Sequence, residues 1–410
     1  MPERRPDKSS RYYLVNGKVL TPDRLVYPGC VEIANGKIAG VWAMSAAEVP
    51  QAAAARDAGG CFVAPGFIDM HLHGGGGADV MDGTAEAFRT VARAHARLGS
   101  TAIVPTTLTS SMDDLLLAID SFEEALASPT GGASLLGLHL EGPYLAESQR
   151  GIQDARYLKN PDPAEYHKIL DRSPHIIRVS CAPELPGALE FGRELKRRGV
   201  LASIGHTDAT YCQVAAAVAA GYSHVTHLYS GMSGVRRVNC YRVAGVIESA
   251  LLMDELTVEV IADGRHLPAS LLKLIFKCKG PDRMVLCTDA MRAATLEDGE
   301  YVIGSLRDGQ KVSVRDGVAW GPNGSAFAGS VATTNRLVET VVTMGVATLE
   351  QAVRMVTSTP AAILGIDHRK GSLEPGKDAD IVVFDDDFSV KMVIVEGEIV
   401  YAEDRRDGPR

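Results

Sequence analysis

The sequence lacks three features that would assign it to whole classes of protein. It has no excess of positive charge, because 42 Lys and Arg stand against 51 Asp and Glu and give a formal net charge of −9. A concentrated basic surface for nucleic acid or an anionic membrane is therefore not expected. Its apolar runs are too short to span a membrane, and its charged N-terminus reaches no stretch typical of a signal peptide. We predict a soluble protein of the cytoplasm.

Cysteine is scarce and irregularly placed. The seven cysteines are odd in number and form no CxxC pair. This argues against a disulfide framework or a zinc finger and favours reduced, packed thiols. Hydrophobic residues make up 46% of the chain and charged residues 23%, which is typical of a globular protein. The 410 residues suffice for one large domain and a smaller one.

The middle of the chain alternates short apolar runs with helix-forming segments. The strand candidates are 67–71, 101–106, 135–141, 176–182, 201–206, 224–227, 258–263 and 284–289. Helix candidates between them include 85–98, 112–126, 187–198 and 209–220. Eight such units predict an α/β fold, a (β/α)8 barrel of the TIM type over residues 65–364. A doubly wound sheet is the alternative, but HGGGG after the first strand is not its GxGxxG phosphate turn.

Two further segments follow the eighth strand. Residues 301–320 read as a β-hairpin insertion, and two helices close the predicted barrel. The chain ends are β-rich, with Asn-Gly at 16–17 and 35–36 and Glu-Gly at 396–397 between apolar alternations, as in tight hairpin turns. Neither end can bury a sheet face alone. Residues 1–64 and 365–410 are therefore predicted to pair into a small β-sandwich domain.

Six potential metal ligands fall at or just beyond the C-terminal ends of predicted strands. They are His71, His73, Glu141, His206, His227 and Asp289. Singly, each fits a core or surface histidine, a solvated carboxylate or a helix cap. In a barrel, however, these ends meet at one mouth, where active sites are built. Histidines with a carboxylate and an open position form a hydrolytic site for Zn²⁺ or Fe²⁺, so we expect a divalent metal.

Two residues are candidates for the remaining chemistry of an amide hydrolase. Asp289 could take a proton from the attacking water and deliver it to the leaving amine. His266 follows the seventh strand and could donate a hydrogen bond to the substrate carbonyl, or simply lie on a loop surface.

The motifs that carry these residues resemble those of the amidohydrolase superfamily and, within it, the N-acetylglucosamine-6-phosphate deacetylases. They are PGFIDMHLHGGGG at 65–77, GLHLEGPYL at 137–145, IGHTDAT at 204–210, THLYSGM at 226–232, ADGRHLP at 262–268, LCTDAM at 286–291 and GSLEPGKDADIVVFD at 371–385. The resemblance implies a metal-bearing barrel joined to a β-sandwich, usually as a homodimer. It also implies hydrolysis of N-acetylglucosamine 6-phosphate to glucosamine 6-phosphate and acetate.

The same resemblance implies roles for the metal ligands. Glu141, His206 and His227 would be the main ligands, and His71 with His73 would permit a second ion, so that each subunit holds one or two.

Asp289, beside the metal, would be the catalytic acid and base. His266 would bind the substrate and polarise its acetyl carbonyl.

The segments implied to bind the sugar and its phosphate depart from the family pattern. An expected Asn-Ala appears as Ser230-Gly231, an expected Arg-Glu-Pro-Gly keeps only Arg242 and the final Gly, and Gln153 replaces an expected His. The exact substrate is therefore less firmly implied than the hydrolysis.

Three alternatives remain open. The substrate could be another N-acetyl amino-sugar phosphate, such as the galactosamine epimer. A cyclic-amide hydrolase, such as a dihydroorotase, commonly carries a carboxylated Lys on a barrel strand, but none of the eight predicted strands contains Lys. A non-enzymatic binding protein on this fold would be expected to have lost ligands, whereas every expected ligand is present.

Overall fold

The computed structural model describes residues 11–44, 48, 54–322, 324 and 326–403. Parts of the predicted sandwich domain, residues 1–10, 45–47, 49–53 and 404–410, lie outside the described residues. The first strands are β1 Arg11–Leu20, β2 Leu25–Ala34, β3 Lys37–Ala43, β4 Ala54–Asp57 and β5 Phe62–Pro65.

The strands of the middle region follow in chain order. They are β6 Phe67–Leu72, β7 Gly74–Gly75, β8 Ala78–Asp79, β9 Ser100–Pro105, β10 Ser134–Leu135, β11 Leu138–Glu141, β12 Ile176–Cys181, β13 Leu201–Ile204, β14 His224–Val225, β15 Arg236–Val238, β16 Tyr241–Val243, β17 Thr257–Ile261 and β18 Met284–Cys287. The last strands are β19 Gly299–Ile303, β20 Gln310–Arg315, β21 Val318–Trp320, β22 Phe327–Ser330, β23 Ile381–Phe384, β24 Val390–Val395 and β25 Glu398–Ala402.

The α-helices fill the intervals between these strands. They are α1 Ala85–Ala96, α2 Met112–Leu126, α3 Pro163–Leu170, α4 Ala188–Arg198, α5 Tyr211–Ala220, α6 Val246–Leu252, α7 Ala269–Lys279, α8 Thr334–Thr343, α9 Leu349–Met355 and α10 Ser358–Ile363. In the part of the chain that the structure describes, none of the helices is both long enough and apolar enough to cross a membrane.

The eight predicted strands of the middle region are present and parallel, except that the predicted strand 135–141 is divided into β10 and β11. One sheet has the order β11-β12-β13-β14-β17-β18, and a second has the order β10-β9-β6. Isolated bridges join the two sheets at both edges, from Thr106 to His139 and from Leu72 to Ala290, so the parallel strands form a strongly curled array. The predicted alternation of parallel strands with helices is confirmed.

The two ends of the chain share one sheet. Its order is β25-β24-β23-β5-β1-β2-β3, with β4 also beside β1. The joint is antiparallel, with Ile381 of β23 opposite Pro65 of β5 and Phe384 opposite Phe62. Buried side chains from both ends form one core cluster that includes Val63 and Ile381. The predicted pairing of the two ends is therefore present in the fold.

One predicted turn is wrong. Strand β1 runs straight through Asn16 and Gly17, and the register shifts between Leu14 and Gly17. Asn16 has φ 58°, so the dipeptide forms a bulge instead of a hairpin. A β-carbon at position 17 would lie 2.4 Å from Val63 Cγ2, which requires glycine where β5 passes. The turns at 35–36 and 396–397 do connect their strands as predicted.

The segment after β18 is more elaborate than predicted. The expected hairpin at 301–320 is part of a four-stranded antiparallel sheet, β19-β20-β21-β22. Among the described residues, three helices follow it instead of two. Thr357 leaves helical geometry at φ −133° and ψ −87°, which separates α9 from α10. Pro360 has no N–H to donate to the preceding turn, so one continuous helix could not form.

Candidate metal centre

Three of the predicted ligands share the same backbone conformation just after a strand. His206, His227 and Asp289 each follow the last residue of a parallel strand by two positions, after β13, β14 and β18. Their φ angles are positive, at 45°, 26° and 48°. Such left-handed geometry costs a non-glycine residue about 1–3 kcal/mol and is typical of functional sites. The turn points each side chain back over the ends of the strands.

The other three ligands come from strands that stay extended. His71 lies in β6, and His73 follows its last residue. Because they are two positions apart, both rings lie on one side of the strand, with ring centroids 5.2 Å apart. Glu141 is the last residue of β11.

The structure brings all six predicted ligands together. Glu141 Oε1 lies 2.9 Å from His227 Nε2, 3.2 Å from His206 Nε2 and 3.7 Å from His71 Nε2. Glu141 Oε2 lies 3.3 Å from His73 Nε2. None of the six side chains belongs to a residue more than 8% exposed. The cluster is therefore a compact, buried set of nitrogen and oxygen donors.

Asp289 closes the cluster on the side of β6. Its Oδ1 lies 3.1 Å from His73 Nε2 and 3.5 Å from His71 Nε2. Burial alone would raise the pKa of Asp289, but in the metal-free cluster a hydrogen bond from a protonated His73 and the charge of a protonated His71 lower it below its usual value. Burial would likewise raise the pKa of Glu141, and the neighbouring imidazoles of His71 and His206 hold it well below.

The hydrogen bonds of the Nδ1 atoms in three histidines show whether this donor set fits a cation. Each Nδ1 faces a fixed acceptor, so the neutral ring holds its proton there and carries a lone pair on Nε2. The acceptors are Glu259 for His71 at 2.6 Å, the Thr106 carbonyl for His73 at 3.1 Å and the Gln149 carbonyl for His206 at 2.8 Å. The Nε2 lone pairs thus converge on carboxylate oxygens that are also acceptors. A divalent cation between them fits this arrangement.

Two overlapping sets have the spacing of a metal site. The ligand atoms of His71, Glu141 and His227 lie within 4.8 Å of one another, and so do those of His71, His73 and Asp289. His71 Nε2 is buried and has no hydrogen-bond partner. The geometry can therefore accommodate one cation or two neighbouring ones.

Sequence reasoning missed the charged groups beneath the cluster. Glu259 accepts from His71 Nδ1 through Oε1 and pairs through Oε2 with Arg178 Nη1 at 2.6 Å. Arg178 and Glu259 are both completely buried, and Glu259 also accepts from the backbone N–H of His227 at 3.1 Å. The available signal was a charged residue inside each of two apolar strands, IIRVSC and TVEVI.

His266 lies at the edge of the cluster. Its Nδ1 donates to Asp263 Oδ2 at 2.7 Å, and its ring packs against Phe327 with centroids 4.8 Å apart. The neighbouring His266 and its hydrogen bonds outweigh the burial of Asp263 and lower the pKa of that carboxyl. Asp263 was not predicted from the sequence, although it shares the ADGRHLP motif with His266.

A cavity of about 200 Å³ opens over the donor cluster. Its walls include four of the predicted substrate contacts, Gln153, Ser230, Gly231 and His266. Arg242 does not line it, because this residue is exposed on β16 in a two-stranded hairpin with β15. The amide of Gln153 is directed at Glu141 Oε2, 2.8 Å away. These assignments of substrate contacts stay predictions.

Comparison with known proteins identifies relatives over most of the chain. Residues 62–400 match the model of the Amidohydrolase family. The chain is 38% identical to N-acetylglucosamine-6-phosphate deacetylase of Vibrio furnissii, over 84% of each chain. It is 32% identical to N-acetylgalactosamine-6-phosphate deacetylase of Escherichia coli, over 93% of this chain and 97% of the relative.

Solved structures show the same architecture. A mutant of N-acetyl-D-glucosamine-6-phosphate deacetylase from Mycobacterium smegmatis, in complex with N-acetyl-D-glucosamine-6-phosphate, superposes with a TM-score of 0.87 at 33% identity, covering 96% of this chain and 100% of that chain. The fold, the donor cluster and these similarities agree with the resemblance seen in the motifs. The chain belongs to the amidohydrolase family.

Proposed function

We propose that this protein hydrolyses the N-acetyl group of N-acetylglucosamine 6-phosphate in a metal-dependent reaction, giving glucosamine 6-phosphate and acetate. The observation that carries the proposal is the convergence of six buried donor side chains on one point beneath an open cavity. The deacetylases to which the chain is similar act on this class of sugar by name.

The donor set suits Zn²⁺ or Fe²⁺, since imidazole and carboxylate ligands are typical of these ions in hydrolases. Glu141, His206 and His227 would hold one ion, and His71 with His73 a second, with Asp289 beside both. A bound ion of this kind lowers the pKa of water to about 7 and polarises a carbonyl group.

Asp289 is assigned the proton transfers. The positively charged surroundings of this buried carboxyl favour its ionised form, which can accept a proton from the attacking water. The same oxygen can then protonate the departing nitrogen. It borders the cavity, which places it within reach of a bound amide.

His266 is assigned the role of hydrogen-bonding the acetyl carbonyl of the substrate. Asp263 fixes the ring by accepting from Nδ1, which leaves Nε2 for the cavity. In its doubly protonated form the ring donates from both nitrogens, and the Nε2–H can stabilise the developing oxyanion.

The proposal is tested by acetate release from a panel of N-acetyl hexosamines, each with and without the 6-phosphate, in buffer with defined zinc or iron. We expect the highest kcat/KM for N-acetylglucosamine 6-phosphate. Absence of acetate from every sugar, or a preference for the unphosphorylated sugars, would contradict the proposal.

The galactosamine epimer is the second candidate substrate. The similarity to the Escherichia coli N-acetylgalactosamine-6-phosphate deacetylase extends over 93% of this chain. The cavity wall also carries Ser230 and Gly231, where the family pattern has Asn-Ala. The same sugar panel separates the epimers.

We further propose the finer architecture that the sequence predicts. Residues 65–364 would form a closed (β/α)8 barrel, and residues 1–64 with 365–410 a β-sandwich domain. The two bridges at the edges of the curled parallel sheets support closure of the barrel. The common sheet of the chain ends supports the second domain.

A homodimer in the cytoplasm completes the proposal. Val238 and Tyr241 of the β15-β16 hairpin are 45% and 78% exposed, and this apolar surface suits a second copy of the chain. All seven cysteines are unpaired, which is typical of proteins in a reducing compartment.

A further inference from the structure

One short segment of the chain contacts two of the predicted metal ligands. Residues 149–153, which we call the ligand-contacting segment, lie between β11 and α3. The Gln149 carbonyl accepts a hydrogen bond from His206 Nδ1 at 2.8 Å. The Gln153 amide donates to Glu141 Oε2 at 2.8 Å. The segment therefore contacts a histidine and a carboxylate that the metal site would share.

The amide of Gln153 has only one favourable orientation. Its Oε1 accepts from the backbone N–H of Thr109 at 2.8 Å, while its Nε2 donates to Glu141. Turning the amide by 180° would place oxygen against a carboxylate and N–H against N–H. Gln153 is only 3% exposed, so water cannot easily replace either bond. The side chain thus fixes the rotation of the Glu141 carboxylate.

Gly231 makes the other contact possible. Its φ is 58°, and a β-carbon at this position would lie 2.6 Å from the Gln149 carbonyl oxygen and 2.7 Å from His206 Nδ1. Any side chain would therefore push apart the two atoms of that hydrogen bond. The backbone cannot easily retreat, because the Gly231 carbonyl accepts from Thr207 N at 3.0 Å.

We propose that the ligand-contacting segment orients Glu141 and His206 for the cation, and that Gln153 and Gly231 are positioning residues for the metal ligands. The inference rests on the metal-dependent function proposed above. It gives a physical reason for two departures from the family pattern, since both residues act on the same pair of ligands. Groups that hold a metal ligand in place typically change metal affinity by about 10- to 100-fold when they are removed.

The test compares two variants with matched controls. Gln153→Leu removes both hydrogen bonds of the amide, and its control Gln351→Leu removes the hydrogen bond from Thr348 N at the start of α9, where Gln351 is half-buried. Gly231→Ala adds a β-carbon at the Gln149–His206 bond. Its control Gly365→Ala has a similar φ of 69°, but a β-carbon there would have nothing within 4 Å. The dissociation constant for Zn²⁺ is measured by competition with a chromogenic chelator, and circular dichroism checks folding.

We expect Gln153→Leu and Gly231→Ala to bind Zn²⁺ about 10- to 100-fold more weakly than wild type, with both controls unchanged. The weaker binding should appear in the absence of any sugar, because the proposed role concerns the metal ligands alone. Unchanged zinc affinity with a raised KM would overturn the inference and assign these residues to substrate binding. If Gln153→Leu does not fold, the Gly231→Ala and Gly365→Ala pair decides the question.

Different results would contradict the proposed function and the proposed orienting role. A wild-type protein that binds zinc but releases no acetate from any sugar contradicts the proposed function. Weaker zinc binding by the two variants would still support the orienting role in that case.

Discussion

At the scale of single residues, hydrogen-bond partners fix the orientation of the side chains in the site. Three histidines of the cluster, His71, His73 and His206, have Nδ1 beside a fixed acceptor, so their Nε2 atoms face the carboxylates. The ligand residues themselves could be predicted from the sequence, because His and Glu are unusual at the ends of strands that are otherwise apolar. Their supporting partners Gln149 and Thr106 could not, since both act through backbone carbonyls that any residue provides.

Asp289 carries the most specific prediction at this scale. Asp289→Asn keeps the shape of the side chain but removes the carboxylate that accepts and returns the proton. We expect kcat to fall by about 10²- to 10⁴-fold, with bound zinc and the unfolding transition retained. Acetate release, metal analysis and circular dichroism measure the three properties. Wild-type turnover in this variant would remove the role assigned to Asp289.

The buried pair of Glu259 and Arg178 makes a prediction about stability. Glu259→Gln leaves a completely buried guanidinium without its counter-charge, and breaking such a pair costs about 3–5 kcal/mol. The surface carboxylate of Asp386, with a side chain 76% exposed beside Lys18, provides the control. Asp386→Asn should change the free energy of unfolding by less than about 1 kcal/mol. Urea denaturation compares the two, and equal effects would contradict the account.

At the scale of elements, helices could be predicted more closely than strands. The predicted helix 112–126 has the observed bounds, because its start is set by local chemistry: Ser111 accepts from Asp114 N at 3.2 Å. The predicted strands ending at 206, 227 and 289 stop earlier, since each ligand residue turns into left-handed geometry. That turn depends on contacts across the sheet, and no local pattern encodes it.

The cap of α2 gives a prediction for this scale. Ser111→Ala removes the hydroxyl that satisfies a free N–H in the first turn, and such a loss typically costs about 1 kcal/mol. Ser148→Ala, at an exposed position outside any α-helix, should cost less than about 0.5 kcal/mol. Urea denaturation of both variants measures the difference. Equal stability of the two variants would show that the cap contributes nothing.

At the scale of the whole molecule, strands distant in sequence supply one cluster. Glu141 comes from β11, His227 follows β14 and Asp289 follows β18, so the site exists only when the parallel array has formed. The sequence could predict this convergence because the C-terminal ends of parallel strands lie at one edge. It could not show that Arg242 lies in a hairpin outside the lining of the cavity, because the position of a hairpin is set by tertiary packing.

Metal removal should therefore weaken the whole fold. A ligand that binds only the native state stabilises it by about 2.7 kcal/mol at a concentration 100 times its dissociation constant. We expect EDTA to lower the thermal unfolding midpoint and added Zn²⁺ to restore it. Glu141→Gln should unfold at a temperature that depends little on either addition. The same EDTA response in wild type and variant would argue against a stabilising ion at this cluster.

The central claim is that Glu141, His206 and His227 share one divalent cation. Anomalous diffraction at the zinc edge, from crystals grown with Zn²⁺, tests it most directly. We expect a strong peak about 2.0–2.2 Å from Glu141 Oε1 and from the Nε2 atoms of His206 and His227. A fully occupied zinc elsewhere in the molecule, with no peak between these three side chains, would contradict it.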